Sequence, residues 1–262
     1  MDTVRWKLGV VSYLNARVLV DGLSGRRDVE MFAAVPADLS GLLFEGRVDA
    51  ALIPVIDYLR HREELEIVSD ACIGADGPTM TVRVYSPVPP ASVEVLRADR
   101  ESHTSVALAQ VLWSGCYERR VVVKAFQQGQ PVRDGEAVLL IGDKVVTSPW
   151  REVAYDIDLG GLWRQWKGLP FVFAVWAARR QTPLEGLGEL LSQVRDAGVA
   201  QAERIARKHA TFHGWDEARA VAYLTENIKY TLGPKYVTGM NLFFDLAAEM
   251  GLASKADLVC RS

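Results

Sequence analysis

Apolar residues first cluster at Lys7 to Val11, enough for a buried strand, and from Asn15 to Val20 they return at helical spacing. The segment Ser12-Tyr13-Leu14-Asn15 is therefore the turn between a strand and a helix. At a strand's carboxyl end, ahead of helical amides that lack partners, such a turn either meets a ligand or only caps the helix through Ser12 and Asn15. Val29 to Ala34 reads as a second strand, and Leu39, Leu42 and Leu43 follow Pro36 at helical spacing. Gly46 ends that helix, and Val48 to Pro54 form a third strand. This βαβαβ order predicts a parallel sheet with right-handed crossovers.

The stretch from Ile67 to Ser86 is rich in β-forming residues and is interrupted by Gly74-Ala75-Asp76-Gly77-Pro78. That cluster must turn and leaves amides free, either as a second wall of a pocket or as a plain connection. Pro87-Val88-Pro89-Pro90 reads as a stiff crossing into a new α/β unit, with a strand over Val93 to Leu96. A helix opened by Ser102-His103-Thr104-Ser105 comes next, and its first amides suit an anion or need only a cap. Val121 to Phe126 and Ala137 to Ile141 are further strands, the latter ending at Gly142-Asp143-Lys144. Asp143 at a strand end could orient a substrate hydroxyl or pair with Lys144 or Arg151. Leu162, Trp163 and Trp166 form a core stripe on a helix over Leu159 to Lys167. The apolar strand Phe171 to Trp176 is read as the return crossing, and the chain is expected to be helical from Pro183 onward. The expected fold class is α/β with two lobes: residues 1–87 and 177–262 in a discontinuous first lobe, 88–176 in the second, and a ligand cleft between them on a two-stranded hinge.

With 262 residues, 49% of them hydrophobic, the chain can bury a full core. A formal net charge of -3 supplies no broad cationic field, which argues against nucleic acid as a partner. The longest apolar run, Phe171 to Ala178, is too short to span a membrane, and the start of the chain lacks an apolar leader, so a cytoplasmic location is expected. Cys72, Cys116 and Cys260 are widely spaced and read as buried thiols. Dinucleotide, Walker-type and Gly-x-Ser-x-Gly motifs are absent. His209 and His213 are four apart, but no third ligand accompanies them, so no metal is expected.

Six segments in order resemble the chorismate dehydratases of the futalosine route to menaquinone. They are Val11 to Asn15, Asp49 to Pro54, Gly77-Pro78, His103 to Val106, Leu140 to Asp143 and Gly168 to Ala177. The resemblance implies the fold of type 2 periplasmic binding proteins, chorismate as the substrate, and loss of water to give 3-[(1-carboxyvinyl)oxy]benzoate without metal or cofactor. For such a reaction Asn15 and Ser12 are expected to position the substrate, and Asp143 or an ordered water to help the hydroxyl depart. Gly77, Pro78 and Thr79 would face one substrate carboxylate, and His103, Thr104 and Ser105 the other. Many family members carry arginine where this chain has His103. The base is a side chain, a water or the substrate's own enolpyruvyl carboxylate. The related 1,4-dihydroxy-6-naphthoate synthases carry a histidine in place of Gly142, which sets this chain apart from them. A solute-binding module or a ligand-sensing domain would use the same cleft. Exposed faces of the C-terminal helices leave room for a homodimer.

Overall fold

The computed structural model describes residues 5–99, 101–126, 131–147, 150 and 153–253. Cys260, Arg151 and the first four residues lie outside them. Strands β1 (Trp6–Val11), β2 (Val29–Ala34) and β3 (Ala50–Pro54) pair in parallel with β1 in the middle, joined through α1 (Arg17–Val20) and α2 (Pro36–Phe44). This is the predicted βαβαβ start. A short helix, α3 (Val55–Arg60), follows Pro54 directly and has no counterpart in the sequence reading. Six residues carry too little periodicity to announce themselves.

The first sheet is completed by β4 (Leu65–Ala75), β10 (Phe171–Arg179) and β11 (Ile228–Thr231), in the order β11-β4-β10-β3-β1-β2. Because β10 lies between β3 and β4 and is covered on both faces, its sequence is continuously apolar rather than alternating. A second sheet contains β5 (Val82–Ser86), β6 (Val95–Ala98), β7 (Val122–Ala125), β8 (Glu136–Ile141) and β9 (Tyr155–Asp158), in the order β7-β6-β8-β5-β9.

Both crossings between sheets therefore come earlier than Pro87 and Trp176. The strand β5, expected in the first lobe, pairs antiparallel with β8 and β9, so the chain changes sheets over residues 76–81. It returns before Phe171, after α6 (Leu159–Lys167) has ended at Gly168 in the left-handed region. Neither shift is visible in composition, because a strand's residues do not tell which sheet it joins. The departing and returning ends lie side by side, with Ala75 paired to Phe171. Two adjacent strands thus connect the sheets, as a hinge requires.

The second sheet is backed by α4 (His103–Tyr117), with α5 (Asp143–Thr147) following β8. In the C-terminal region α7 (Leu187–Ala200), α8 (Ala202–His209), α9 (Glu217–Ala222) and α10 (Pro234–Glu249) bear out the helical expectation, except that β11 interrupts them. The aromatic stripe of α6 is core: Trp163 is fully buried and packs edge-on to Phe171 and Phe243. Cys72 is buried, which pushes its thiol up to about 12, and Cys116 is half-buried. Among the described residues no helix is long and apolar enough to cross a membrane. Helix α7 approaches α1 so closely that a Cβ on Gly198 would lie 1.9 Å from the Val18 carbonyl oxygen. The Gly198→Ala variant is expected to lose about 1–3 kcal/mol, read as a lower urea midpoint, because two backbones must separate.

Candidate functional site

A cleft of about 580 Å³, its open mouth included, is bordered by residues from both sheets. Val11 and Pro54 at the ends of β1 and β3 line it, with Ile141 and Gly142 at the end of β8, Phe173 and Ala174 on β10, and the first turn of α4. This is the carboxyl-end position where open α/β sheets hold ligands. Among the described residues that line it, none is Lys, Arg, Asp or Glu.

The α4 terminus is built as an anion cradle. Ser102 occupies the cap position without a side-chain cap bond, and the amides of His103, Thr104 and Ser105 have no acceptor among the described residues. Thr104 Oγ1 donates to the Phe173 carbonyl (3.1 Å) and accepts from the Ile56 amide (3.4 Å), which pins α4 against β10 and α3. Buried Ser105 makes no side-chain hydrogen bond among the described residues and lines the cleft. Orphan amides in the first turn of a 15-residue helix favour a carboxylate through hydrogen bonds and the helix dipole together. His103 also lines the cleft, and its Nδ1 lies 2.8 Å from Asp57.

Asn15 reaches the same cleft from the turn after β1. The helix there, α1, is only four residues long, and neither Ser12 nor Asn15 caps it. The buried Tyr223 hydroxyl, which bonds Thr81 Oγ1 at 2.7 Å, lies close enough to Asn15 to feel its amide. The Asn15 Oδ1 is left buried without a partner among the described residues. An amide oxygen with its acceptor capacity unused on a cleft wall can take a hydrogen bond from a hydroxyl or N–H group in the cleft. Tyr13, in the same turn, donates to Glu101, and burial, reinforced by that carboxylate, holds its phenol far above the usual range. The Tyr13 ring packs on Gly142: a Cβ there would lie 2.8 Å from it, at a backbone φ of +61°. A histidine at 142 would have to displace Tyr13.

Three groups of sequence-expected site residues have other surroundings than a cleft wall with free donors. Ser12 is half-buried beside the cleft but does not line it; its amide extends the strand ladder to the Ala34 carbonyl. Asp143 does not line the cleft either, and it does not pair with Lys144, which binds Asp99 and Glu101 instead. Asp143 accepts from Trp215 Nε1 (2.8 Å), from His213 Nδ1 (2.7 Å) and from the Leu14 amide (3.3 Å), and so ties the second sheet to the turn carrying Asn15. Arg17 Nε donates to His213 Nε2, which leaves the proton of that imidazole on Nδ1, facing Asp143. Gly77 and Pro78 stand outside the cleft, packed under Gly160 and Gly161 of α6. Thr79 does line it, but Asp158 takes the Thr79 and Met80 amides (2.9 and 2.8 Å), so these loop amides are not free to hold a carboxylate.

His209 and His213 serve different partners, Asp21 and Asp143. Asp57, Tyr223 and the His213–Trp215 pair were missed at the level of sequence. Each acts through a contact distant in the chain, which no local spacing encodes.

A sequence family described as menaquinone biosynthesis matches residues 6–249. A chorismate dehydratase of Thermus thermophilus is 30% identical over 233 aligned positions, spanning 80% of this chain and 83% of the relative. A chorismate dehydratase of Campylobacter jejuni is 26% identical over 241, spanning 92% and 93%. Among solved structures, an Archaeoglobus fulgidus protein superposes with a TM-score of 0.70 at 15% identity, covering 96% of this chain and all of that one (100%). The alkanesulfonate-binding protein SsuA of Xanthomonas axonopodis pv. citri, bound to MOPS, gives 0.67 at 13% identity, with 100% of both chains covered. These likenesses show the two-lobed periplasmic-binding-protein fold, and the sequence matches show the family: the chain belongs to the chorismate dehydratases of menaquinone biosynthesis.

Proposed function

We propose that this protein removes water from chorismate to give 3-[(1-carboxyvinyl)oxy]benzoate, the first step of the futalosine route to menaquinone. The observation that carries the reading is the convergence of the α4 amides and the Asn15 Oδ1, without partners among the described residues, on one cleft whose described lining has no acidic side chain. The ring carboxylate of chorismate sits on the amides of Thr104 and Ser105 and on the Ser105 hydroxyl. Asn15 Oδ1 accepts from the ring hydroxyl and so fixes the rotation of the ring.

Elimination removes the proton from ring carbon 3 and hydroxide from carbon 4. As the proton leaves, negative charge spreads through the diene toward the ring carboxylate. Donors fixed there stabilise that charge more than they stabilise the substrate. With no Asp or Glu among the described residues of the cleft wall, the substrate's own enolpyruvyl carboxylate takes the proton. It returns that proton to the departing hydroxide, so that water leaves and the ring becomes aromatic. Asp143 contributes by holding Leu14, next to Asn15, rather than by touching the substrate.

Incubation of the purified protein with chorismate, followed by chromatography and mass analysis, is expected to show chorismate replaced by an aromatic product lighter by one water. Bound but intact chorismate would make the chain a binding protein, and absence of binding would confine the likeness to the fold.

A further inference from the structure

Among the described residues that line the cleft, His103 alone can become a cation near neutral pH, whereas the proposed substrate brings two carboxylates. Its Nδ1 lies 3.0 and 2.8 Å from the two oxygens of Asp57, a side chain only 1% exposed. Asp57 stands in the first turn of α3, accepts from Ser40 Oγ at 3.1 Å and pairs with Arg60 Nη1 at 3.4 Å. A carboxylate so held keeps a proton on Nδ1 of the imidazole and fixes the ring plane. The charge of the ring is then decided at Nε2, which has no partner among the described residues.

The groups around the ring are few. Helix α3 contributes Asp57 and Arg60, and α2 the uncharged Ser40. The first turn of α4 holds no acidic residue, and β10 offers Phe173 and Ala174. From the turn after β1, Tyr13 is committed to Glu101. An anion entering this cleft thus meets no permanent positive charge among the described residues of its wall. Its field favours protonation of the one ring nitrogen left open.

We propose that Asp57 and His103 form a proton-coupled anion site, in which His103 takes up a proton at Nε2 as a dicarboxylate enters and the imidazolium donates to one carboxylate. Asp57 is the positioning residue behind it. The inference deepens the dehydratase reading and rests on it for the identity of the dianion.

The test uses the full chain and 3-(carboxymethoxy)benzoate, an unreactive dianion. Calorimetric titration near neutral pH, in buffers of different ionisation enthalpy, is expected to show net proton uptake, at most one proton per site, in the wild type. The His103→Arg variant, with a permanent cation, is expected to bind without uptake and without pH dependence. His103→Gln is expected to weaken binding about 10- to 100-fold, the loss of a hydrogen bond to a charged group, and to abolish uptake. Asp57→Asn should reduce uptake while circular dichroism reports an intact fold.

With chorismate, wild-type KM is expected to rise as pH rises above the imidazole range, because the donating form is then lost, and the Gln variant should show a raised KM that no longer varies with pH. Proton uptake that persists in His103→Gln would overturn the proposal. So would a fall in kcat in that variant with KM unchanged, which would make His103 a proton-transfer group instead. If chorismate is not turned over but the dianion binds with proton uptake, the dehydratase reading fails and the anion site stands. Turnover of chorismate without proton uptake on dianion binding would do the opposite, upholding the dehydratase and overturning the proton-coupled site.

Discussion

The Asn15→Ala variant is expected to lose about 100- to 1000-fold in kcat for chorismate dehydration, the range seen when a preorganised polar contact to a reacting group is removed. Its thermal midpoint should stay level or rise. In the absence of ligand, the Asn15 Oδ1 is buried and unpaired, which costs about 1–3 kcal/mol of stability that alanine would not incur. Tyr223 keeps its hydrogen bond to Thr81 at 2.7 Å in the variant. Strain tolerated at a site because the reaction needs it is a recurrent feature of enzymes. Steady-state kinetics paired with thermal unfolding checks both halves. Full activity would remove the positioning role, and a large drop in midpoint would show that Asn15 serves mainly the packing of the turn.

Replacing Asp143 with alanine is expected to be the most destabilising change near the cleft, at about 2–5 kcal/mol, because several buried donors lose one shared acceptor. The His213 and Trp215 side chains and the Leu14 amide all converge on that carboxylate. The loss should appear as a lower urea midpoint. Activity should fall with it, since Leu14 precedes Asn15 and the turn would no longer be held against the second sheet. Asp143→Asn keeps the shape and one acceptor oxygen, so it should fall between the wild type and the alanine variant on both measures. Loss of catalysis in Asp143→Asn with unchanged stability would instead restore Asp143 as an acid or base.

These two residues show how differently sequence and structure bear on one site. Asn15 and Asp143 both stand at strand ends, and both are read from the sequence as candidates for touching substrate. The strand-turn-helix pattern locates such ends well, because strands and helices announce themselves by local periodicity. It does not tell which way a side chain faces. Asn15 lines the cleft, whereas Asp143 turns to residues 70 and 72 positions away in the chain.

By itself the sequence determined the βαβαβ start, the buried strand β10, the helix opened at Ser102 to Ser105 and, through six short segments in order, the family. Each of these rests on neighbouring residues whose spacing or identity is locally informative. Only the tertiary structure decided that β5 belongs to the second sheet, that Asp158 consumes the loop amides next to Gly77, and that Asp57 stands behind His103. Pairing between strands and contacts between distant side chains depend on how whole elements pack, and the energy of a buried polar group is set by the partners that packing brings to it.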